Sequence, residues 1–171
     1  MSKVIVFVGG QKSGKSVAAE RLALILSHNP VYMATAHVED EEFRERVRIH
    51  KERRGSEWTT IEEEKWLSHY DVEGRVVLVD CSTLWLANFL TFETPEITRR
   101  QLAQVEEEFD RLITQDATFI FVANEVGLGG ISANDMQRQF ADCLGAFNQY
   151  IAAKADEVYL VVAGISVKIK G

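Results

Sequence analysis

The sequence is poor in the residues that cross-link or stiffen a small protein. Its 171 residues include two cysteines and two prolines. Cys81 and Cys143 lie far apart and match no metal-ligand spacing, which argues against a cysteine-based metal site and against a disulfide framework. Both stand in apolar surroundings, so we expect small core residues in a reducing compartment.

Positive charge and long apolar runs are also scarce. Lys and Arg number 19 against 26 Asp and Glu, which gives a net charge of −7. This balance argues against nonspecific binding to a nucleic-acid backbone. No apolar run is long enough to span a membrane, and Met1–Lys3 leads into the first predicted strand without a signal peptide. We therefore expect a cytoplasmic protein, and the length predicts one domain over residues 1–171.

The clearest motif lies near the start of the chain. An apolar run, Val4–Val8, is followed by a stretch with the spacing of a phosphate-binding loop and then by a segment of helical periodicity. Glycines in such a loop let backbone N–H groups converge on a phosphate, the lysine reaches the β- and γ-phosphates, and the serine hydroxyl can bind Mg²⁺. We call this stretch the P-loop; its residues are Gly9, Gly10, Gln11, Lys12, Ser13, Gly14, Lys15 and Ser16.

Hydrophobic periodicity predicts an α/β fold around this loop. A helix over Lys15–Ser27 and a strand over Val31–Thr35 complete a β-α-β unit, which implies parallel pairing. Further strands are predicted at 58–61, 75–80, 118–123, 158–163 and 167–169, and helices at 39–54, 82–90 (capped by Ser82), 96–115 and 134–154. A short helical piece is also predicted at 65–70. The last two strands are close enough to require a hairpin. The expected domain has a mostly parallel central sheet, helices on both faces and an antiparallel C-terminal edge.

Two acids follow hydrophobic strands where ligands bind in open α/β sheets. Asp80 closes the strand at 75–80, and Glu125 follows the strand at 118–123. P-loop enzymes hold Mg²⁺ with such a carboxylate, and we favour Asp80 together with Ser16, the alternative for either acid being a solvated strand-end residue. The segment from Asn124 to Gly130 contains three glycines. It is not expected to be helical and leaves a strand on the ligand side of the sheet.

A cluster of basic side chains surrounds one histidine. On the helix predicted at 39–54, Arg46, His50 and Arg54 share a face, with Lys51 and Arg53 beside them. A histidine on a helix surface is more often a solvated residue than a catalytic one. Here the surrounding cations suit a triphosphate and favour the neutral, nucleophilic imidazole at pH 7. His50 is therefore a candidate nucleophile.

Taken in order, the motifs of the chain resemble those of one enzyme family. They are Gly-Gly-Gln-Lys-Ser-Gly-Lys-Ser at 9–16, Tyr-Met-Ala-Thr-Ala at 32–36, Arg-Ile-His-Lys-Glu-Arg-Arg at 48–54, Asp80-Cys81 with Asn88, Asn-Glu-Val-Gly-Leu-Gly at 124–129, Asn148-Gln149, Ala155-Asp156-Glu157-Val158 and the tail Gly-Ile-Ser-Val-Lys-Ile-Lys. The set is similar to the bifunctional adenosylcobinamide kinase/adenosylcobinamide-phosphate guanylyltransferases of cobalamin assembly, over essentially the whole chain.

The resemblance implies a RecA-like P-loop fold, a homotrimer and two reactions. A nucleoside triphosphate, ATP or GTP, phosphorylates the aminopropanol hydroxyl of adenosylcobinamide, and GTP then donates GMP to that phosphate. The family's guanylylated histidine falls on His50. One departure is Ile49, where family members have a second histidine.

The same resemblance places guanine-nucleotide contacts on four parts of the chain. These contacts fall on Ala34, Thr35, Ala36, Lys51, Glu52, Arg53, Arg54, Glu62 and Asp80. The residues alone leave two other classes open: a P-loop kinase of another small metabolite without guanylylation, and a nucleotide-dependent regulatory switch. They do not indicate which residues contact the corrinoid.

Overall fold

A seven-stranded sheet organises the protein. The computed structural model describes residues 1–36, Arg48 and residues 55–171. The strands are β1 (Lys3–Gly9), β2 (Val31–Ala34), β3 (Thr59–Glu62), β4 (Val76–Asp80), β5 (Thr118–Asn124), β6 (Glu157–Val162) and β7 (Ile165–Lys170), in the spatial order β3-β2-β4-β5-β1-β6-β7. Neighbouring strands pair in parallel except β6 and β7, which are antiparallel. The predicted parallel sheet with an antiparallel C-terminal edge is confirmed.

Helices cover both faces of this sheet, as predicted. They are α1 (Lys15–Leu26), α2 (Ser82–Ala87), α3 (Pro95–Leu112) and α4 (Asp135–Lys154). On one face, Ala19 and Ala23 of α1 are completely buried against Ile5 and Phe7 of β1. The other three helices bury larger side chains on the opposite face, among them Trp85, Phe109 and Phe147 around Phe121. Strands covered on both sides carry continuous apolar runs, which is why β4 and β5 were recognisable in the sequence.

Helix ends differ from the sequence expectation at one point and follow simple capping rules at another. Ser82 does not cap α2, because Cys81 occupies the cap position and the Ser82 hydroxyl donates to the Val122 carbonyl at 3.1 Å. Thr94 does cap α3, since its Oγ1 accepts from the Ile97 N–H at 3.1 Å and Pro95 stands at the first helical position. Ser82 instead ties α2 to the sheet.

Two segments contain a single 3₁₀ turn where the sequence predicted something else. The helical piece expected at 65–70 is a 3₁₀ turn over Leu67–His69, and the glycine segment after β5 contains a single 3₁₀ turn over Gly127–Gly129. The expectation that this glycine segment is entirely non-helical was therefore wrong. The helix predicted at 39–54 lies outside the described residues apart from Arg48, which is helical and exposed.

The C-terminal hairpin is joined to β1 by charge as well as by the sheet ladder. Ala163 and Gly164 have φ values of 51° and 78°, the paired left-handed conformation of a tight two-residue hairpin turn. Glu157 of β6 binds Lys3 of β1 at 2.6 Å and Lys168 of β7 at 2.9 Å. Hydrogen bonds from Lys3, Tyr159 and Lys168 lower the pKa of the Glu157 carboxyl to about 2. These contacts fix the hairpin, whose turn reaches the P-loop.

Within the described residues, no helix combines the length and apolar character needed to cross a membrane.

Candidate nucleotide-binding site

The P-loop curls between the end of β1 and the start of α1. Lys12 and Gly14 both have left-handed φ values, 56° and 97°, on either side of Ser13. The Ser13 N–H donates to the Gly10 carbonyl at 3.2 Å, which closes the turn. Alternation of this kind turns consecutive N–H groups toward one point and creates an anion-binding concavity at the helix N-terminus.

Neighbouring backbone holds the loop so closely that glycine is required. A Cβ added to Gly9 would lie 2.4 Å from the Val161 carbonyl oxygen of β6. A Cβ on Gly14 would lie 3.1 Å from the Cα of Gly164, and the Gly164 N–H donates to the Ser13 carbonyl at 2.7 Å. The turn of the C-terminal hairpin therefore supports the P-loop from the β6 side.

Lys15 is held over the loop by its own backbone. Its Nζ donates to the Gly10 carbonyl at 2.9 Å, and the residue is only 7% exposed. Burial lowers the pKa of the Lys15 ammonium, and the negative charge of Asp80 opposes that effect. Lys15 and Asp80 are thus close enough to interact, although they come from distant parts of the sequence.

Asp80 is the last residue of β4, so it lies at the same end of the parallel strands as the P-loop. In the sheet, β5 separates β4 from β1. In the parallel register Asp80 is opposite Ala34, and Ala34 is opposite Glu62 on the other side. The Tyr32 hydroxyl donates to Asp80 Oδ2 at 2.9 Å. Ala34, Glu62 and Asp80, which the family resemblance links to guanine nucleotides, therefore lie side by side at the ends of three neighbouring strands.

The connection after β2 is fixed by internal hydrogen bonds. The Thr35 hydroxyl is fully buried, donates to the Cys81 carbonyl at 2.8 Å and accepts from the Cys81 N–H at 3.0 Å. Asn88 Nδ2 donates to the carbonyls of Thr35 at 2.7 Å and Glu64 at 2.9 Å. Burial raises the pKa of the Cys81 thiol to about 12, so this cysteine is a protonated core residue at neutral pH. The spacing of Asn88 alone gave no sign of this bridging role.

Glu125 is close to the P-loop on the strand next to it. Gly9 and Asn124 are opposite each other in the β1–β5 ladder, and the Glu125 N–H donates to the Gly9 carbonyl at 2.9 Å. Its Oε1 accepts from the Gly127 N–H at 2.7 Å. Both predicted strand-end acids therefore reach the same edge of the sheet as the P-loop.

Part of the predicted site lies outside the described residues. His50, Lys51, Glu52, Arg53 and Arg54 belong to that part, as does Arg46. Residues 1–36, Arg48 and 55–171 contain no cluster of three or more His, Cys, Asp or Glu side chains suited to a metal. Mg²⁺ does not need such a cluster, because it usually takes one or two carboxylates, phosphate oxygens and water.

Comparison with known proteins identifies the family. The family model for cobinamide kinase/cobinamide phosphate guanyltransferase matches residues 5–169. The chain belongs to this family. It is 36% identical over 170 residues to the bifunctional adenosylcobalamin biosynthesis protein CobP of Pseudomonas aeruginosa, covering 97% of this chain and 96% of that protein. The protein CobU of Escherichia coli K12, with the same bifunctional description, is 36% identical over 183 residues, covering 98% of this chain and 99% of that protein.

Family membership makes the protein an enzyme with kinase and guanylyltransferase activities in cobalamin biosynthesis, as the ordered motifs predicted. The P-loop fold is confirmed by a solved ATPase of the type III secretion system of pathogenic bacteria, with 11% identity and a TM-score of 0.52. This chain aligns over 96% of its length and spans 56% of that ATPase, so the likeness concerns the fold alone.

Proposed function

We propose that this chain carries out both family reactions with one P-loop, and that in the second reaction His50 carries GMP from GTP to adenosylcobinamide phosphate. The observation that supports this most is the P-loop itself, with buried Lys15 above a curled backbone, in a chain that matches the family over residues 5–169. In the kinase step, the aminopropanol hydroxyl of adenosylcobinamide attacks the γ-phosphorus of ATP or GTP. The bond to the β-phosphate oxygen breaks, the nucleoside diphosphate leaves, and the hydroxyl proton passes to solvent.

Lys15 is the main cation proposed for this step. Phosphoryl transfer depends mostly on positioning and on charge neutralisation at the phosphate oxygens. Lys15 starts from a buried position, with Nζ bonded to the Gly10 carbonyl of the loop that would hold the phosphates. A short movement of Nζ would exchange this neutral acceptor for a phosphate oxygen, and the charge-assisted hydrogen bond is the stronger one.

Mg²⁺ is proposed to bind at Ser16 and Asp80. A hydroxyl, a carboxylate and nucleotide phosphates are a suitable donor set for this ion, and Asp80 is near enough to Lys15 to act on its pKa. When bound, Mg²⁺ would neutralise phosphate charge. The Tyr32 hydroxyl, bonded to Asp80 Oδ2, would fix the orientation of the carboxylate.

The guanine nucleotide is proposed to contact Ala34–Ala36, Lys51–Arg54, Glu62 and Asp80. Support comes from the register that sets Ala34 between Glu62 and Asp80 at the edge where β1 leads into the P-loop. Because the Thr35 hydroxyl is already bonded to Cys81 in both directions, contacts from this segment would come from atoms other than that hydroxyl.

The transfer of GMP is proposed to pass through a nitrogen–phosphorus bond. A neutral imidazole nitrogen of His50 attacks the α-phosphorus of GTP, the bond to the β-phosphate oxygen breaks, and pyrophosphate leaves. The phosphate of adenosylcobinamide phosphate then attacks the same phosphorus and releases His50. The product is adenosylcobinamide-GDP.

Labelling with α-phosphate-labelled GTP tests this proposal. We expect acid-labile, alkali-stable label on the denatured protein, with release of pyrophosphate. His50→Ala should abolish the label and guanylyl transfer, and should reduce kinase activity less. His28→Ala is a matched control, because His28 is exposed beyond the far end of α1. Label that persists in His50→Ala would assign the nucleophile to another residue, with His37 the next candidate because it closely follows the strand predicted at 31–35.

We also propose a homotrimeric, cytoplasmic, single-domain protein. The exposed apolar side chains of edge strand β7, Ile165, Val167 and Ile169, are suitable for a subunit contact. Both cysteines are free, which fits a reducing compartment. Sedimentation equilibrium would give the subunit number, and a monomer at micromolar concentration would contradict the trimer.

A further inference from the structure

The segment between β5 and α4, together with the first turn of α4, exposes several large apolar side chains beside the P-loop. Leu128 is 83% exposed, Ile131 91%, Met136 61% and Val126 42%. Single exposed apolar residues are common on protein surfaces, but a cluster within one short segment typically marks a binding surface. We call these four residues the apolar loop patch.

The patch begins next to the nucleotide site. The Glu125 N–H donates to the Gly9 carbonyl at 2.9 Å, and Val126 is the next residue. The segment therefore leaves the sheet directly beside the first residue of the P-loop. A molecule resting on the apolar loop patch would have its near end close to phosphates bound in the P-loop.

Hydrogen bonds hold the segment at both ends. At the β5 end, the Asn124 N–H donates to Thr83 Oγ1 at 2.8 Å, and Asn148 Nδ2 donates to the Asn124 carbonyl at 3.0 Å. At the α4 end, Asn134 Oδ1 accepts from the Gln137 N–H at 3.0 Å, and Arg138 Nη1 donates to the Ser132 carbonyl at 2.8 Å. The backbone is thus anchored while the apolar side chains face solvent.

We propose that the apolar loop patch binds the corrin macrocycle of the corrinoid acceptor; this inference rests on the proposed function. None of the proposed nucleotide contacts falls on the patch, which leaves it without a role in nucleotide binding. A corrin is a broad conjugated ring with methyl substituents and apolar faces, so it can cover several exposed aliphatic side chains at once. Contact there would set the aminopropanol arm toward the P-loop, where its hydroxyl is phosphorylated.

The test separates binding of the corrinoid from binding of the nucleotide. Leu128→Ser and Ile131→Ser are compared singly and together in the full-length protein. From the apolar surface removed, we expect KM for adenosylcobinamide to rise about 10-fold for each substitution. KM for the nucleoside triphosphate and the extent of GMP labelling should change by less than about twofold, a difference of roughly 0.4 kcal/mol.

Ile25→Ser is the matched control. Ile25 is 79% exposed but lies near the end of α1 that is opposite the P-loop. The KM of the Ile25→Ser variant for the corrinoid should therefore equal that of the wild type. Equilibrium dialysis with adenosylcobinamide alone, without catalysis, should rank the variants by corrinoid affinity in the same order as the KM values do. If the double variant does not fold, Ile131→Ser decides the question by itself, because that side chain packs least.

Two results would overturn the inference. One is an unchanged corrinoid KM in active, folded Leu128→Ser and Ile131→Ser variants. The other is a changed molecular mass in solution together with a rise in KM for both substrates, which would assign the patch to a subunit contact. A wild-type protein that phosphorylates no corrinoid would instead overturn the proposed function, and this inference with it.

Discussion

Replacing Gly9 by alanine tests the tight packing of the P-loop against β6. The new Cβ would lie 2.4 Å from the Val161 carbonyl oxygen and 2.7 Å from Ser13 Oγ, whereas contacts below 3.0 Å are essentially never found. The serine hydroxyl can rotate away, but the carbonyl belongs to a strand paired with β1. Backbone must therefore move by about 0.6 Å to reach 3.0 Å.

Overpacking of this kind costs about 1 to 3 kcal/mol of unfolding free energy. For a chain of this size, that corresponds to a fall in Tm of roughly 2 to 12 °C. The loop would shift with the strand, so nucleotide affinity should also fall. Differential scanning calorimetry gives the stability change, and isothermal titration with GTP gives the loss of affinity.

Gly10→Ala is the matched control for stability. A Cβ at Gly10 meets nothing within 4 Å, and the position has no left-handed φ. Its Tm should stay within about 2 °C of the wild type, as expected for a substitution that costs less than about 0.5 kcal/mol. Equal stability of Gly9→Ala and Gly10→Ala would refute the packing argument.

Four further substitutions, in three experiments, test charges in the structure. Lys15→Ala should abolish phosphoryl transfer, because it removes the cation at the β- and γ-phosphates; near-normal kinase turnover would contradict that role. Asp80→Asn should weaken Mg²⁺-dependent activity more than Glu125→Gln, and the reverse order in a Mg²⁺ titration would transfer the metal role to Glu125. Glu157→Gln should lower the unfolding free energy at pH 7 by about 1 to 2 kcal/mol, allowing for solvent screening. The pKa of Glu157 is about 2 in the folded protein and 4.5 ordinarily, so the stability difference between wild type and variant should shrink as the pH falls from 4.5 to 2. Urea unfolding at pH 7 and at pH 2 measures this difference. An equal difference at both pH values would contradict the reasoning.

The sequence correctly predicted the buried strands, the P-loop and the C-terminal hairpin, because each depends on residues that are close together in the chain. β4 and β5 are continuous apolar runs because helices cover both faces of the sheet, and the P-loop was recognisable because its glycines and Lys15 serve a fixed backbone shape. The C-terminal hairpin followed from the short distance between two strands. The helix cap expected at Ser82 failed, since a buried carbonyl of β5 offers its hydroxyl a competing partner.

The contacts between these elements were decided by tertiary structure. The sequence does not predict that the Gly164 N–H donates to the Ser13 carbonyl. Nor does it predict that the Asn88 side chain bonds the segments that follow β2 and β3. The sequence by itself determined the family, the strand-loop-helix that binds phosphate and the acids that follow strands, because these depend on residue type and spacing. The order of the strands decided that Lys15, Asp80 and Glu125 share one edge, since only pairing in the sheet brings such distant residues together.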